Sequence, residues 1–72
     1  MNKEELITRI GLKIRELRIA KNLTLQQLSD KLDIEYNNLI RIEKGRTNPT
    51  IGTLYKICHI LGVRLVDVVD VE

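Results

Sequence analysis

Aromatic and cysteine residues are nearly absent from this chain, which has no tryptophan, no phenylalanine, two tyrosines and one cysteine. Any hydrophobic core must therefore be built from aliphatic side chains. The lone Cys58 excludes an internal disulfide and indicates a reducing compartment. No apolar run approaches the roughly 20 residues that cross a bilayer, and residues 3–5 are charged where a signal peptide would be apolar. We therefore expect a soluble, cytoplasmic protein with no membrane association.

Groupings of residues that support catalysis or metal binding are also missing. Cys58 is predicted to face the core, and His59 is predicted to point outward without the set of ligands that zinc requires. No nucleophile is paired with a base, and there is no glycine-rich phosphate loop. These absences argue against an enzyme and predict no metal, no cofactor and no small-molecule ligand.

Charge is more informative in its placement than in its sum. The 72 residues carry a net charge of +2. Residues 9–21 contain five basic side chains and one acid, and residues 41–64 again contain five and one. Such separation can create one basic face at a low total charge, although ordinary solvated helices have the same pattern. The length predicts a single domain, residues 1–72, whose small core would gain stability from dimerisation.

The spacing of apolar residues predicts an all-α fold of four or five helices. The first helix spans about residues 3–21. Thr24 and Gln27 form a capping box at the start of a second helix, which Asp33 interrupts in a tight turn. A third helix ends at Gly45, and a fourth lies between the predicted cap at Thr50 and Gly62. The apolar tail, residues 63–72, is compatible with a short fifth helix or with a strand.

The second and third predicted helices, over about residues 24–44, have the spacing of a helix-turn-helix, whose second helix can enter the major groove of DNA. At about 100° per residue, Asn37, Arg41 and Lys44 lie opposite the buried Leu39, and Ile40 lies on a flank. Asparagine pairs with adenine, arginine with guanine, and an aliphatic side chain meets the thymine methyl. A purely solvated face would look similar, so this pattern alone leaves both interpretations open.

The same angular arithmetic turns two opposite charges inward. Glu43 lies about 40° from Leu39 on the third helix, and Arg18 lies about 40° from Ile14 on the first. We predict a partly buried salt bridge that clamps the first helix to the third. Its predicted role is structural and not catalytic.

The chain resembles the Cro/repressor-type helix-turn-helix regulators, also called the xenobiotic-response-element family. The similarity runs from about Ile10 to Val69. The matching residues include Ile10-Gly11, Leu17-Arg18, Leu23-Thr24, Leu28-Ser29, Arg41-Ile42-Glu43, Gly45, Asn48-Pro49 and Leu61-Gly62-Val63. The resemblance implies a compact lambda-repressor-like domain and a structural salt bridge between Arg18 and Glu43.

The resemblance also assigns DNA contacts, which agree with the outward face of the third helix. The predicted base-contacting residues are Tyr36, Asn37, Ile40 and Arg41. The predicted phosphate-contacting residues are Gln26, Asn38, Lys44, Arg46, Thr47 and Asn48. Three positions depart from the family pattern: Asp33 replaces a glycine, Leu25 a glutamine, and Glu35 a serine or threonine cap.

The predicted function is a sequence-specific DNA-binding regulator, a dimeric repressor or autoregulator that binds a near-palindromic operator in double-stranded DNA. The tail is the predicted dimerisation element, with the fourth helix. Candidate dimer residues are Ile60, Val63, Leu65, Val66, Val68 and Val69. The alternative is a protein-interaction module, such as an antitoxin or adaptor, that uses the apolar tail to dock a partner and binds DNA only secondarily.

Overall fold

Five helices and no strand make up the computed structural model, which describes residues 1–72. The helices are α1 (Lys3–Ala20), α2 (Leu25–Leu32), α3 (Tyr36–Glu43), α4 (Ile51–Leu61) and α5 (Leu65–Val69). The all-α prediction is confirmed, and the ambiguous tail contains a helix. No helix is both long enough and apolar enough to span a membrane.

The helix starts follow local hydrogen-bonding chemistry. The Thr24 hydroxyl accepts from the Gln27 amide at 3.0 Å, and the Gln27 side chain accepts from the Thr24 amide at 2.8 Å, which is the predicted capping box. Thr50 caps α4 by accepting from the Thr53 amide at 3.1 Å. Asn2, which the sequence analysis did not single out, caps α1 by accepting from the Glu5 amide at 2.8 Å. Each cap satisfies an amide that the first turn leaves free.

The turn between α2 and α3 depends on a left-handed residue. Asp33 has φ 55° and ψ 44°, and the amide of the following residue, Ile34, donates to the carbonyl oxygen of Ser29 at 3.1 Å. Aspartate tolerates this backbone region better than most residues do. The short turn therefore forms without a glycine, and it fixes the angle at which α3 leaves α2.

Each of the five helices contributes one side chain with 0% exposure to a single core: Ile14, Leu28, Leu39, Ile57 and Val68. The core is aliphatic, as the composition predicted, with Cys58 as its one sulfur-containing member. Burial and the nearby Asp67 charge raise the pKa of the Cys58 thiol, so the thiol stays protonated at neutral pH and behaves as a small apolar group. Val68 corrects one prediction: because the side chain is enclosed within its own subunit, it does not belong to a dimer surface.

A close approach of two backbones holds α1 against α3. Gly11 of α1 lies against the carbonyl groups of Ile42 and Glu43, and a methyl group at Gly11 would stand 2.7 Å from the Glu43 carbonyl oxygen. Because no side chain fits there, the backbones of α1 and α3 approach more closely than any residue other than glycine would allow. This contact therefore fixes the position of α3 relative to α1.

The last helix is stabilised from both of its ends. The Asp67 carboxylate accepts from the Arg64 backbone amide at 2.9 Å, and this hydrogen bond is the main reason that the pKa of Asp67 is lowered. The Arg9 guanidinium of α1 donates to the carbonyl oxygen of Val71 at 3.1 Å. These contacts explain how a segment rich in β-branched residues is held as a helix against α1 and α4.

Candidate nucleic-acid interface

The outward face of α3 presents hydrogen-bonding groups on a rigid support. Leu39 and Ile42 are buried beneath it, at 0% and 2% exposure. Tyr36, Asn37 and Arg41 are exposed on the opposite side. The only side-chain hydrogen bonds in the molecule involve other residues. The phenol, amide and guanidinium groups of this face are therefore free to bind a ligand.

Behind this face, Arg18 and Glu43 form the predicted salt bridge. Arg18 Nε donates to Glu43 Oε2 at 2.8 Å, and Arg18 Nη2 donates to Glu43 Oε1 at 3.1 Å. Arg18 Nη1 also donates to the Leu23 carbonyl oxygen at 2.7 Å. The pair is bidentate and buried, with 7% and 5% of the two residues exposed, so it fixes α3 relative to α1 and the loop before α2.

Four of the six predicted phosphate-contacting residues follow the C-terminal end of α3. Lys44, Arg46 and Asn48 are exposed after the end of α3. The backbone there is ordered, because the Arg46 amide donates to the Arg41 carbonyl oxygen at 2.9 Å. Thr47 lies in the same loop and is half-buried. The loop therefore holds two cations and two neutral donors beside α3.

The remaining two predicted phosphate contacts differ from this loop in accessibility. Asn38 is half-buried on the flank of α3. Gln26 is exposed at the start of α2, and its Nε2 donates to Asp30 Oδ1 at 2.8 Å. To donate to a phosphate, the Gln26 side-chain amide would therefore have to break its hydrogen bond to Asp30 or donate to both groups at once. Ile40, the predicted thymine contact, is half-buried.

Glu35 stands at the position before α3 and makes no side-chain cap hydrogen bond. Its carbonyl oxygen accepts from the amides of Asn38 and Leu39, at 3.0 and 3.2 Å. The carboxylate itself is exposed. It therefore adds a negative charge at the N-terminus of α3, next to the predicted base-contacting residues Tyr36 and Asn37.

The structure adds residues of α1 that the sequence analysis did not name as ligands. A cleft of about 580 Å³ separates α1 from α3 and the loop that follows. We call it the α1 cleft; its lining residues are Thr8, Leu12, Arg15, Arg18, Leu25, Ile40, Glu43, Lys44 and Arg46. Helical periodicity could place Arg15 outward on α1, but only the packing of α1 on α3 sets it beside Lys44.

The predicted dimer residues do not share one groove. Leu65 and Val69 line an apolar groove of about 570 Å³ with the first half of α1 and with Ile51 of α4. Ile60 lines a different, smaller groove next to Tyr55 and His59. Tyr55 and Ile51 are 64% and 69% exposed, and neither was predicted. The exposed apolar surface therefore extends over α4 as well as over the tail.

Comparison with known proteins supports the arrangement of α2 and α3. A family model described as Helix-turn-helix, HTH_3, matches residues 14–68. An HTH-type transcriptional regulator of Methanocaldococcus jannaschii is 34% identical over 56 residues, which cover 78% of this chain and 85% of the relative. The immunity repressor of Bacillus phage phi105 is 32% identical over 63 residues; they cover 88% of this chain and 44% of the repressor.

Solved structures with the same fold include two regulators of known class. The clp gene regulator ClgR of Corynebacterium glutamicum superposes with a TM-score of 0.85 at 30% identity, covering 88% of this chain and 67% of ClgR. The restriction-modification controller protein C.AhdI of Aeromonas hydrophila has a TM-score of 0.82 at 23% identity, covering 89% and 96%; at that identity it supports the fold alone. Together with the exposed face of α3, these matches show that the chain belongs to the HTH_3 family of helix-turn-helix, DNA-binding transcriptional regulators.

Proposed function

We propose that the protein is a dimeric repressor or autoregulator that binds a near-palindromic DNA site through the major groove. The observation that carries this proposal is the face of Tyr36, Asn37 and Arg41, which is exposed, free of internal hydrogen bonds and supported by a buried core. In the groove, the Asn37 amide would pair with an adenine edge and the Arg41 guanidinium with a guanine edge. Tyr36 and Ile40 would add contacts beside them, including the thymine methyl.

The proposed phosphate contacts position α3 without specifying sequence. Lys44 and Arg46 contribute charge, while Thr47 and Asn48 contribute neutral donors in the same loop. Gln26 and Asn38 would contact the backbone on the other side of α3. Because α3 and the following loop are fixed by the core and by the Arg18–Glu43 salt bridge, these donors are arranged before DNA arrives.

The proposed dimer pairs two subunits through α4 and the tail, residues 63–72, which contains α5. Val66 is 45% exposed, and Ile60, Val63, Leu65 and Val69 are half-buried, so each has apolar surface left to bury. A domain of this size gains stability from such burial. Two recognition helices would then enter successive major grooves about 34 Å apart, and the bound dimer would block a promoter.

Selection of bound duplexes from a random library tests activity, site symmetry and half-site spacing together. We expect an enriched near-palindrome with half-site centres separated by about 10 base pairs or a multiple of the helical turn. Sedimentation at high micromolar concentration, with and without the selected duplex, tests the dimer. If the selection enriches no duplex, the protein-interaction alternative is favoured. If sedimentation finds a monomer both with and without DNA, the dimeric mechanism is excluded.

A further inference from the structure

The α1 cleft has an excess of positive charge that the protein does not neutralise. Glu43 is the only carboxylate among its lining residues, and Arg18 holds both Glu43 oxygens. The three ion pairs of the molecule are Lys13–Glu16, Arg18–Glu43 and Arg64–Asp67. Arg15, Lys44 and Arg46 take part in none of them. Three cations therefore face one cleft without a partner.

The two walls of the cleft are held at a fixed separation. Gly11 brings α1 into backbone contact with the end of α3, as described above. On the same side, Gly45 has φ +69° and lies so close to Thr8 that an added methyl group would stand 2.7 Å from the Thr8 Cα. Arg15 on one wall and Lys44 and Arg46 on the other are thus presented together, with little freedom for the backbone to move them apart.

The apolar part of the lining suggests an extended ligand. Leu12 is 50% exposed, and Leu25 and Ile40 are half-buried in the same cleft. A cleft that combines cations with aliphatic side chains fits the DNA backbone, in which charged phosphates are joined by less polar deoxyribose rings. A small free anion would use the charges but leave the leucines in water. The lining also includes Ile40 of α3 and Lys44 and Arg46 of the following loop, so the cleft continues the surface proposed to bind DNA.

We propose that the α1 cleft binds the phosphodiester backbone of the DNA duplex, with Arg15 as a phosphate ligand contributed by α1. This inference rests on the proposed function, because the backbone reaches the cleft when α3 lies in the major groove. It extends the interface from the helix-turn-helix onto the first helix. Arg15 contributes affinity and salt dependence, and it does not contribute base preference.

The test compares the salt dependence of DNA binding among charge variants of α1. Arg15→Gln removes the proposed ligand, whereas Arg15→Lys keeps its charge. Lys13→Gln is the matched control, because Lys13 lies on the same helix but outside the cleft, paired with Glu16 at 3.7 Å. The probe is a pool of random-sequence duplexes about 30 base pairs long, titrated from about 50 to 200 mM salt.

We expect Arg15→Gln to lower the slope of log affinity against log salt by about 0.9, the effect of one phosphate contact. The affinity ratio of wild type to variant should accordingly shrink roughly 3- to 4-fold across that salt range. Arg15→Lys and Lys13→Gln should keep the wild-type slope. The melting temperature, followed by circular dichroism, should stay unchanged in all three because these side chains are not part of the core.

An Arg15→Gln slope equal to that of wild type would overturn the inference, as would equal slope changes in Arg15→Gln and Lys13→Gln. These results are distinct from a failure of the proposed function. If the wild-type protein itself does not bind the duplex pool at low salt, DNA binding by this chain fails before Arg15 is tested. If wild type binds steeply and only Arg15 has no effect, the major-groove proposal stands and the α1 cleft does not take part.

Discussion

At the scale of single residues, the buried Arg18–Glu43 salt bridge is a strong requirement because each charge depends on the other for hydrogen bonds. Arg18→Ala would leave the Glu43 carboxylate, at 5% exposure, and the Leu23 carbonyl group without their donors. We expect a loss of about 3–5 kcal/mol in the free energy of unfolding, measured by urea denaturation. Replacing both Arg18 and Glu43 with methionine should cost less than Arg18→Ala alone. The account would be contradicted if the double variant lost as much free energy of unfolding as Arg18→Met and Glu43→Met lose together.

Arg41 is expected to act on specificity, in contrast with its neighbours in the following loop. Once a selected duplex is available, Arg41→Ala should lose about 1–3 kcal/mol of binding free energy and relax preference at one base pair. Lys44→Ala is the control: it should weaken binding to all sequences and reduce the salt slope by about one ion. Competition binding against duplexes altered at each position separates the two. Equal losses on every sequence would make Arg41 a phosphate contact.

Prediction from sequence was most successful at the residues whose roles follow from helical angle. Glu43 and Arg18 were expected to turn inward from their positions about 40° from buried neighbours, and the bidentate pair is present. Asn37, Arg41 and Lys44 were expected to face outward, and all three are exposed. The DNA roles of these outward residues remain predictions. Arg15 was missed because its importance depends on a neighbour 29 residues away in sequence, Lys44.

At the scale of the secondary-structure element, α3 is the helix whose start has no side-chain hydrogen bond, because Glu35 does not cap it. A serine there would accept from an amide of the first turn, as Thr24 does for α2. We expect Glu35→Ser to be more stable than Glu35→Gln by about 1 kcal/mol in thermal or urea unfolding. Both variants remove a negative charge beside the proposed DNA surface, so both should bind duplex DNA more tightly than wild type at low salt.

Glu35→Gln separates the two effects, because it removes the charge without restoring the cap. Equal stability of the serine and glutamine variants would mean that the first turn of α3 has no free amide to satisfy. Unchanged affinity in both would place the Glu35 carboxylate away from the DNA backbone. The helix dipole would partly offset the gain in the serine variant relative to wild type, which is why the glutamine variant is the reference.

The tail shows why elements of mixed propensity resist prediction. Val66, Val68 and Val69 are β-branched, and such residues favour a strand as much as a helix. The structure forms α5, with Asp67 accepting from the Arg64 amide and Val68 inserted into the core at 0% exposure. The hydrogen bond between Asp67 and Arg64 lies within the tail, so it does not depend on whether α1 or α4 is the neighbour. The burial of Val68 between these helices is the tertiary contribution that favours the helical state.

At the scale of the whole molecule, the exposed apolar surface on α4 and α5 is the feature that a monomer would leave unsatisfied. Val66 is 45% exposed and makes no core contact that its replacement would disturb. We expect Val66→Glu to shift sedimentation toward the monomer and to weaken binding to a palindromic duplex more than to a half-site. The free energy of unfolding, measured at low protein concentration, should change little because the Val66 side chain lies outside the core.

Ile19→Glu is the control for the added charge. Ile19 is 51% exposed on α1 and lines neither of the grooves that contain the predicted dimer residues, so the same substitution there should leave the oligomeric state unaltered. If Val66→Glu remained as associated as wild type, the dimer would have to use another surface. The apolar groove lined by Leu65, Val69 and Ile51 would then be the first place to examine.

Residues within a few positions of one another were enough to predict helices α1 to α4, the caps at Thr24 and Thr50, the inward direction of Arg18 and the inward and outward sides of α3. Asp33 in a left-handed turn, the capping box at Thr24 and the face of α3 all follow from such local rules. Tertiary structure alone decided that the tail is helical, that Val68 faces inward and that Arg15 shares a cleft with Lys44 and Arg46. Those outcomes depend on which helices become neighbours and how closely glycine lets them approach, and periodicity along one helix carries no such information.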